Sequence, residues 1–377
     1  MQVARADGMA SARARNALES GEICESSEKM QDDINSILCD PSLLAVREYH
    51  MDRLTRLFNG ERLDRVVSLA GIGGVADLVP GVDPRVPVEA AVRGLAEQAD
   101  RARDRGVFRP LCLEAWLCGV HFVDRVFGAH VHRDPDARPG DTGGWWNDSL
   151  DGAVGELRAP DLVHNAAWAE AVRLGEAMAG ACEKVVFVAS QVLSSPLNIA
   201  VNLYGERFLV ALNDAPGAAA RDLGVIAGVI GAMHRWYQGS MPPEQFQPVV
   251  ICGRCQPRGF GQICGCTTHL LSAECYRALV APHDAAILGL YPHGGMIHLC
   301  GAHAQHIPVW RQMKELRAVQ INDRAAEDLA LYFRGLRDDQ IIYWSPTVNM
   351  SVEDALRITR GRRLVIAADL PEAPPAR

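Results

Sequence analysis

Short apolar stretches alternate with longer amphipathic ones along most of this chain, and few folds accommodate that rhythm. Apolar runs at 64–74, 107–117, 183–192, 246–255, 285–301, 316–322, 340–346 and 362–368 read as strands or strand ends. Amphipathic segments at 216–237, 271–289, 303–315, 324–336 and 351–359 read as helices. Strand, helix, strand at this spacing implies right-handed crossovers and a parallel sheet. About eight such strands fit an α/β chain folded as a (β/α)8 TIM barrel better than an open sheet. The glycine-rich stretch at 71–81 has neither the GxGxxG spacing of a dinucleotide fold nor the lysine and hydroxyl residue of a P-loop.

Residues 1–40 are polar, small and charged, carry Arg5, Arg13 and Arg15, and read as an N-terminal arm; 41–377 read as one barrel domain. The helical period begins near Ile34 and includes Leu43, Val46, Met51, Leu54, Leu57 and Phe58. The stretch 128–165 breaks the rhythm with Pro, Gly, Asp, Trp145 and Trp146, and reads as a long inserted loop or small excursion, either covering an active face or lying on the surface with its two tryptophans folded back on the core. A net charge of -8 argues against nucleic acid as the main partner. With no apolar run of about 18 residues and no secretory pattern, the expectation is a cytoplasmic protein without a membrane partner. The 11 cysteines are then thiols or metal ligands rather than disulfides.

Cys252, Cys255, Cys264 and Cys266 crowd one segment, and His298-x-Cys300 follows at a strand that Gly301 ends. Thiolate and imidazole hold zinc or another soft transition ion. Residues two apart in a strand share a side, so His298 and Cys300 can both face the barrel mouth, as can Cys264 and Cys266 if their segment ends a neighbouring strand. These four are the candidate metal ligands. An alternative is a closed structural knuckle of Cys252, Cys255, Cys264 and Cys266, which leaves no open position. Glu114 and His121, near a second strand end, are candidates for acid–base work, as is Asp323. Asn322, Trp344 and His303 are candidate substrate contacts, with Tyr343 and the Trp145–Trp146 pair as further pocket walls. His269 and His306 read as caps or supporting groups.

Four segments carry a resemblance: 53–67 (RLTRLFNGERLDRVV), 196–216 (PLNIAVNLYGERFLVALNDAP), 270–282 (LLSAECYRALVAP) and 294–301 (GGMIHLCG). In order and spacing the chain resembles the uroporphyrinogen decarboxylase-like superfamily from about residue 45 onward. The resemblance implies a (β/α)8 barrel with its site at the mouth. The glycine-rich arginine segment and the late Asn-Gly-His signature of the decarboxylase branch are absent, so the chain looks nearer the zinc-dependent, corrinoid-linked methyltransferases. That branch uses a strand-end His-x-Cys, matched by His298 and Cys300, and a later cysteine. No cysteine follows Cys300, so Cys264 or Cys266 is the substitute.

The resemblance implies a small-molecule thiol substrate, zinc as cofactor, a corrinoid protein as partner, and a homodimer. Its mechanism is thiol activation for transfer of a methyl or one-carbon group. Two other functions fit the residues. One is a metal-assisted lyase or decarboxylase acting on a small carboxylate or sulfur substrate, with Asp323 or His121 moving the proton. The other is a non-catalytic metal- or corrinoid-binding protein.

Overall fold

Asp40 begins the first long helix, α1 (Pro41–Phe58): its carboxylate accepts from Ser42 N at 2.7 Å, and Pro41 takes the first helical turn, where no N–H is needed. The apolar face of α1 buries Met51, Leu54, Leu57 and Phe58 against Val67, Met296, Ala318, Ile341, Tyr343 and Val365, which come from five strands. The computed structural model describes residues 34, 36–76, 78, 82–137, 142–250, 253–370 and 374–375. Most of the arm expected over 1–40, and Cys252, lie outside the described residues.

The strands are β1 (Val67–Leu69), β2 (Ile72–Ala76), β3 (Val107–Phe108), β4 (Leu111–Ala115), β5 (Val131–Arg133), β6 (Trp145–Asn147), β7 (Phe187–Ala189), β8 (Phe246–Gln247), β9 (Gly261–Cys264), β10 (Gly295–Cys300), β11 (Leu316–Asn322), β12 (Ile341–Trp344) and β13 (Leu364–Ile366). Seven form a parallel sheet in the order β3-β1-β13-β12-β11-β10-β9, and four form a second parallel sheet, β2-β4-β7-β8. Helices such as Ala166–Ala181, Pro216–Ser240 and Ala281–Leu288 fill the connections. The result is an α/β fold consistent with a TIM-barrel-like arrangement.

The single closed eight-stranded ladder expected from the sequence is not formed among the described residues; the pairing divides into two sheets. Two-residue breaks at Ala70–Gly71 and Arg109–Pro110 cause the division, and Pro110 has no N–H to donate. The sheets stay linked by chain continuity through those breaks. They also meet at an isolated parallel bridge between Ser194 and Cys264, where Ser195 N donates to Cys264 O at 2.8 Å.

Two further differences from the sequence reading bear on the site. The run 246–255 yields only the two-residue β8, because Pro248 follows at once; the strand beside β10 is β9. The stretch expected as a loop contains an antiparallel hairpin, β5–β6. Among the described residues no helix is long and apolar enough to cross a membrane.

Candidate metal centre

Strand alternation decides which side chains meet. In β10, Ile297 and Leu299 belong to the outer core beneath the helices, whereas Met296 belongs to the inner cluster that α1 covers. His298 and Cys300 share the parity of Met296 and face inward. Parallel register sets His298 beside Cys264 on β9 and Gln320 on β11, and Cys300 beside Asn322.

After β9 the chain turns at Gly265, whose N–H donates to His298 O at 2.8 Å. A Cβ there would come within 2.5 Å of Ile297 Cδ1, so glycine lets the turn cross this close to β10. The turn delivers Cys266. One ligand atom each from Cys266, His298 and Cys300 lies within 4.8 Å of the others, and Cys300 Sγ is 3.2 Å from His298 Nε2. His298 is buried; the two cysteines are partly buried. Three histidines pin the turn: His269 Nδ1 lies 2.6 Å from Cys266 O, His306 Nε2 2.8 Å from Thr268 O, and His303 Nε2 2.6 Å from Cys300 O.

The protons form a chain. His298 Nδ1 lies 2.8 Å from Gln320 Oε1, an acceptor, so Nδ1 carries the hydrogen and Nε2 turns its lone pair toward Cys300. Burial drives His298 well below the usual imidazole range, with the Arg254 charge adding to the effect, so the ring is neutral. The Cys266 thiol donates to the Cys300 sulfur, which raises Cys266 and lowers Cys300; the Asp323 carboxylate opposes the lowering. Loss of two thiol protons would leave two thiolates and one imidazole converging. That donor set suits zinc: at usual bond lengths a sulfur and a nitrogen ligand stand about 3.5 Å apart, and three protein ligands leave a position open.

The sequence candidates separate at this point. Cys264 does not join the group. Its sulfur packs with Trp116, Val192 and Val249, 3.5 Å from Arg254 Nη1 and 3.7 Å from Gln262 Nε2. Position along the chain, not parity, explains it: Cys264 is still on β9 beside His298, whereas the turn at Gly265 carries Cys266 past the strand end toward Cys300. The four-cysteine knuckle is not assembled among the described residues, since Cys255 lies in the inner cluster at the α1 end, 4.0 Å from Met51 Sδ.

Trp344 is a correction. It is opposite in parity to Tyr343, belongs to the outer core and donates its indole N–H to Ala326 O at 3.1 Å, so it offers no surface to a substrate. His303 is another: it is buried, with Nε2 2.6 Å from Cys300 O and Nδ1 3.0 Å from the Thr268 hydroxyl, which donates to Gly265 O at 2.8 Å. Desolvation holds it at about 4 and neutral. Its ring is spent on holding the loop.

Asn322 sits at the rim, accepting from Ser345 Oγ at 2.9 Å. Asp323 follows it, exposed and in a left-handed conformation (φ 48°). Glu114 is buried and accepts from Val250 N at 2.6 Å, fixing the segment after β8. His121 Nδ1 lies 2.8 Å from the buried carboxylate of Asp124, to which Asn202 also donates. Asn198, one helical turn earlier on the same face of the helix Pro196–Tyr204, accepts from Thr267 N at 3.1 Å. The His121–Asp124 pair therefore lies about one helical turn from the segment that carries Cys266.

Sequence reasoning missed Gln320 and Arg254. Arg254 Nε donates to the same Gln320 oxygen at 2.6 Å. A polar residue between Ala318 and Asn322 on the inward side of a buried strand was the available signal for Gln320.

No family model matches this sequence, and no curated protein matches it. Among solved structures it is similar to a methyltransferase from Methanosarcina mazei, with 10% identity, covering 87% of this chain and 95% of that one at a TM-score of 0.54. At that identity the likeness is one of fold.

Proposed function

We propose that this chain is a zinc-dependent enzyme that transfers a methyl or other one-carbon group to or from a thiol, with Cys266, His298 and Cys300 as its protein ligands. The convergence of these three donor atoms within 4.8 Å, at the C-terminal ends of parallel strands, carries the reading. The fold shared with a methyltransferase is in keeping with it. The finer assignment belongs to the same proposal: the uroporphyrinogen decarboxylase-like superfamily, and a closed barrel in which the two sheets are arcs of one cylinder. Continuity of β1 with β2 and of β3 with β4, and the Ser194–Cys264 bridge, support closure.

When bound, zinc would lower the pKa of a substrate thiol and fix its sulfur at the open position. The chain's own residues do the rest. Gln320 fixes the His298 tautomer and ring orientation. The histidine-pinned turn holds Cys266. Asp323, beside Cys300, is positioned to take the substrate's thiol proton, and the carboxylate-oriented His121 is the second candidate base. The substrate sulfur attacks the methyl carbon, a carbon–sulfur bond forms, and the donor leaves with the electron pair of its former bond. A methylated corrinoid, free or protein-bound, is the donor class in this reading, and a homodimer and a cytoplasmic location complete it.

The test is metal analysis followed by X-ray absorption. The expected result is one zinc per chain at this centre, with two sulfur ligands and one nitrogen ligand from the protein. Incubation with methylcobalamin and a panel of small thiols should yield a methyl thioether, and His298→Ala and Cys300→Ala should abolish it while the far-ultraviolet spectrum is retained. A centre with one sulfur, or full turnover in both variants, would refute the assignment. Asp323 beside Cys300 also favours a second reading, a metal-assisted lyase. Release of carbon dioxide or a sulfur fragment without a methyl acceptor would select it.

A further inference from the structure

The hairpin in the inserted segment has two unlike faces. Val131, Arg133, Trp145 and Asn147 alternate with His130, His132, Trp146 and Asp148, so each set shares a side. The first set turns to the body of the protein. Trp145 lies where a Cβ on Gly119 would meet it at 3.0 Å, and Asn147 Nδ2 donates to Asn202 O at 2.9 Å. The second set turns outward. The pairing of His132 with Trp146, extended by the bond from Asp148 N to His130 O at 2.9 Å, sets His130 opposite Asp148.

On that outer face three ligand atoms form a small triangle. His132 Nε2 is 2.9 Å from Asp148 Oδ2, His130 Nδ1 is 3.1 Å from His132 Nε2, and His130 Nδ1 is 3.6 Å from Asp148 Oδ2. Trp146 stacks on His132 with centroids 5.4 Å apart at 13°, which holds that ring in place. Adjacent ligands on a tetrahedral or octahedral ion at about 2.0–2.2 Å stand about 3.0–3.5 Å apart. One ion on the outer side of the triangle can therefore reach all three atoms, with water filling the remaining positions.

We propose that His130, His132 and Asp148 form a second metal site, separate from the cysteine-containing centre, for a borderline divalent ion such as zinc, cobalt(II) or nickel(II). Two imidazoles and one carboxylate match that ion class, whereas calcium and magnesium favour sets made wholly of oxygen. The site joins residues before β5 and after β6, so a bound ion clips the two ends of the hairpin. Two-stranded hairpins are marginal alone, and a cross-link that closes the loop between them adds most where local stability is low.

Cobalt(II) titration of the full, metal-stripped chain tests this independently of the first centre. The expected outcome is one equivalent with only ligand-field absorption, lost in His132→Ala and Asp148→Asn and retained in Cys300→Ala. A thiolate charge-transfer band belongs to the cysteine-containing centre. If that centre fails, the band is missing while the second equivalent persists. Amide exchange at 131–133 and 145–147 should slow on metal addition in the unaltered chain and not in His132→Ala. Unchanged cobalt uptake in both hairpin variants would overturn the site, and unchanged exchange at the two strands despite uptake would overturn the clip.

Discussion

Gln320 Oε1 receives two hydrogen bonds inside the fold, from Arg254 Nε at 2.6 Å and from His298 Nδ1 at 2.8 Å. Replacing it with leucine removes the acceptor and keeps a side chain of similar size. Zinc affinity should then fall about 10–100-fold, the usual effect of losing a group that orients a ligand, as read by chelator competition. Two buried donors lose a partner, so unfolding free energy should fall by about 1–3 kcal/mol in urea titrations. Unchanged affinity would show that the His298 ring is held by packing alone. At this scale the sequence was legible where a side chain's parity could be counted from a glycine-ended strand, as for His298 and Cys300. It misled where parity was ignored: Trp344 is one residue from the inward-facing Tyr343 and points the other way. For Cys264 and Cys266 the turn at Gly265 decides which sulfur joins His298 and Cys300, and no periodicity reports that.

Turns and buried polar junctions set the elements around the centre. Gly265→Ala would bring a Cβ to within 2.5 Å of Ile297 Cδ1. Overpacking of this kind costs about 1–3 kcal/mol and should displace Cys266, weakening zinc binding with every ligand still present. Ile297→Val, which removes Cδ1, should recover part of that affinity in the double variant; no recovery would mean that the crossing does not position Cys266. Nearby, the buried Asp284 carboxylate joins separate elements, accepting from Ser195 Oγ at 2.7 Å and Tyr276 OH at 2.9 Å, while Trp310 donates to Tyr276. Desolvation outweighs those two bonds and raises Asp284 from 3.8 to about 7. Between these two values the folded chain holds a proton that the unfolded chain has released, so this group's contribution to stability falls as pH rises from about 4 to 7. Asp284→Asn should flatten urea-measured stability across that window; an unchanged slope would assign the titration elsewhere. Elements were legible where apolar period and length agreed, as in β10, β11 and α1. The exception was 246–255, where apolar character suggested a strand and Pro248 limited the pairing.

Across the whole molecule, the core that α1 covers and the candidate metal centre occupy opposite ends of the strands. Leu54, on α1, is fully buried among inward side chains from the strand starts, whereas Cys300 ends β10 and Cys266 lies just past the end of β9. The alternation of strands and helices made the parallel α/β plan legible. The division into two sheets was not, because it depends on local breaks such as Pro110 rather than on any periodic signal. If the two ends are independent, a cavity at one should leave binding at the other untouched. Leu54→Ala should lower unfolding free energy by about 2–5 kcal/mol. Zinc at about 100 times its dissociation constant should raise that free energy by about 2.7 kcal/mol, and by the same increment in Leu54→Ala as in the unaltered chain. Equal increments, with unchanged affinity by chelator competition, would establish the separation. A smaller zinc increment in Leu54→Ala would mean that α1 and the metal ligands form one cooperative unit, with the helix holding β10 in register from below.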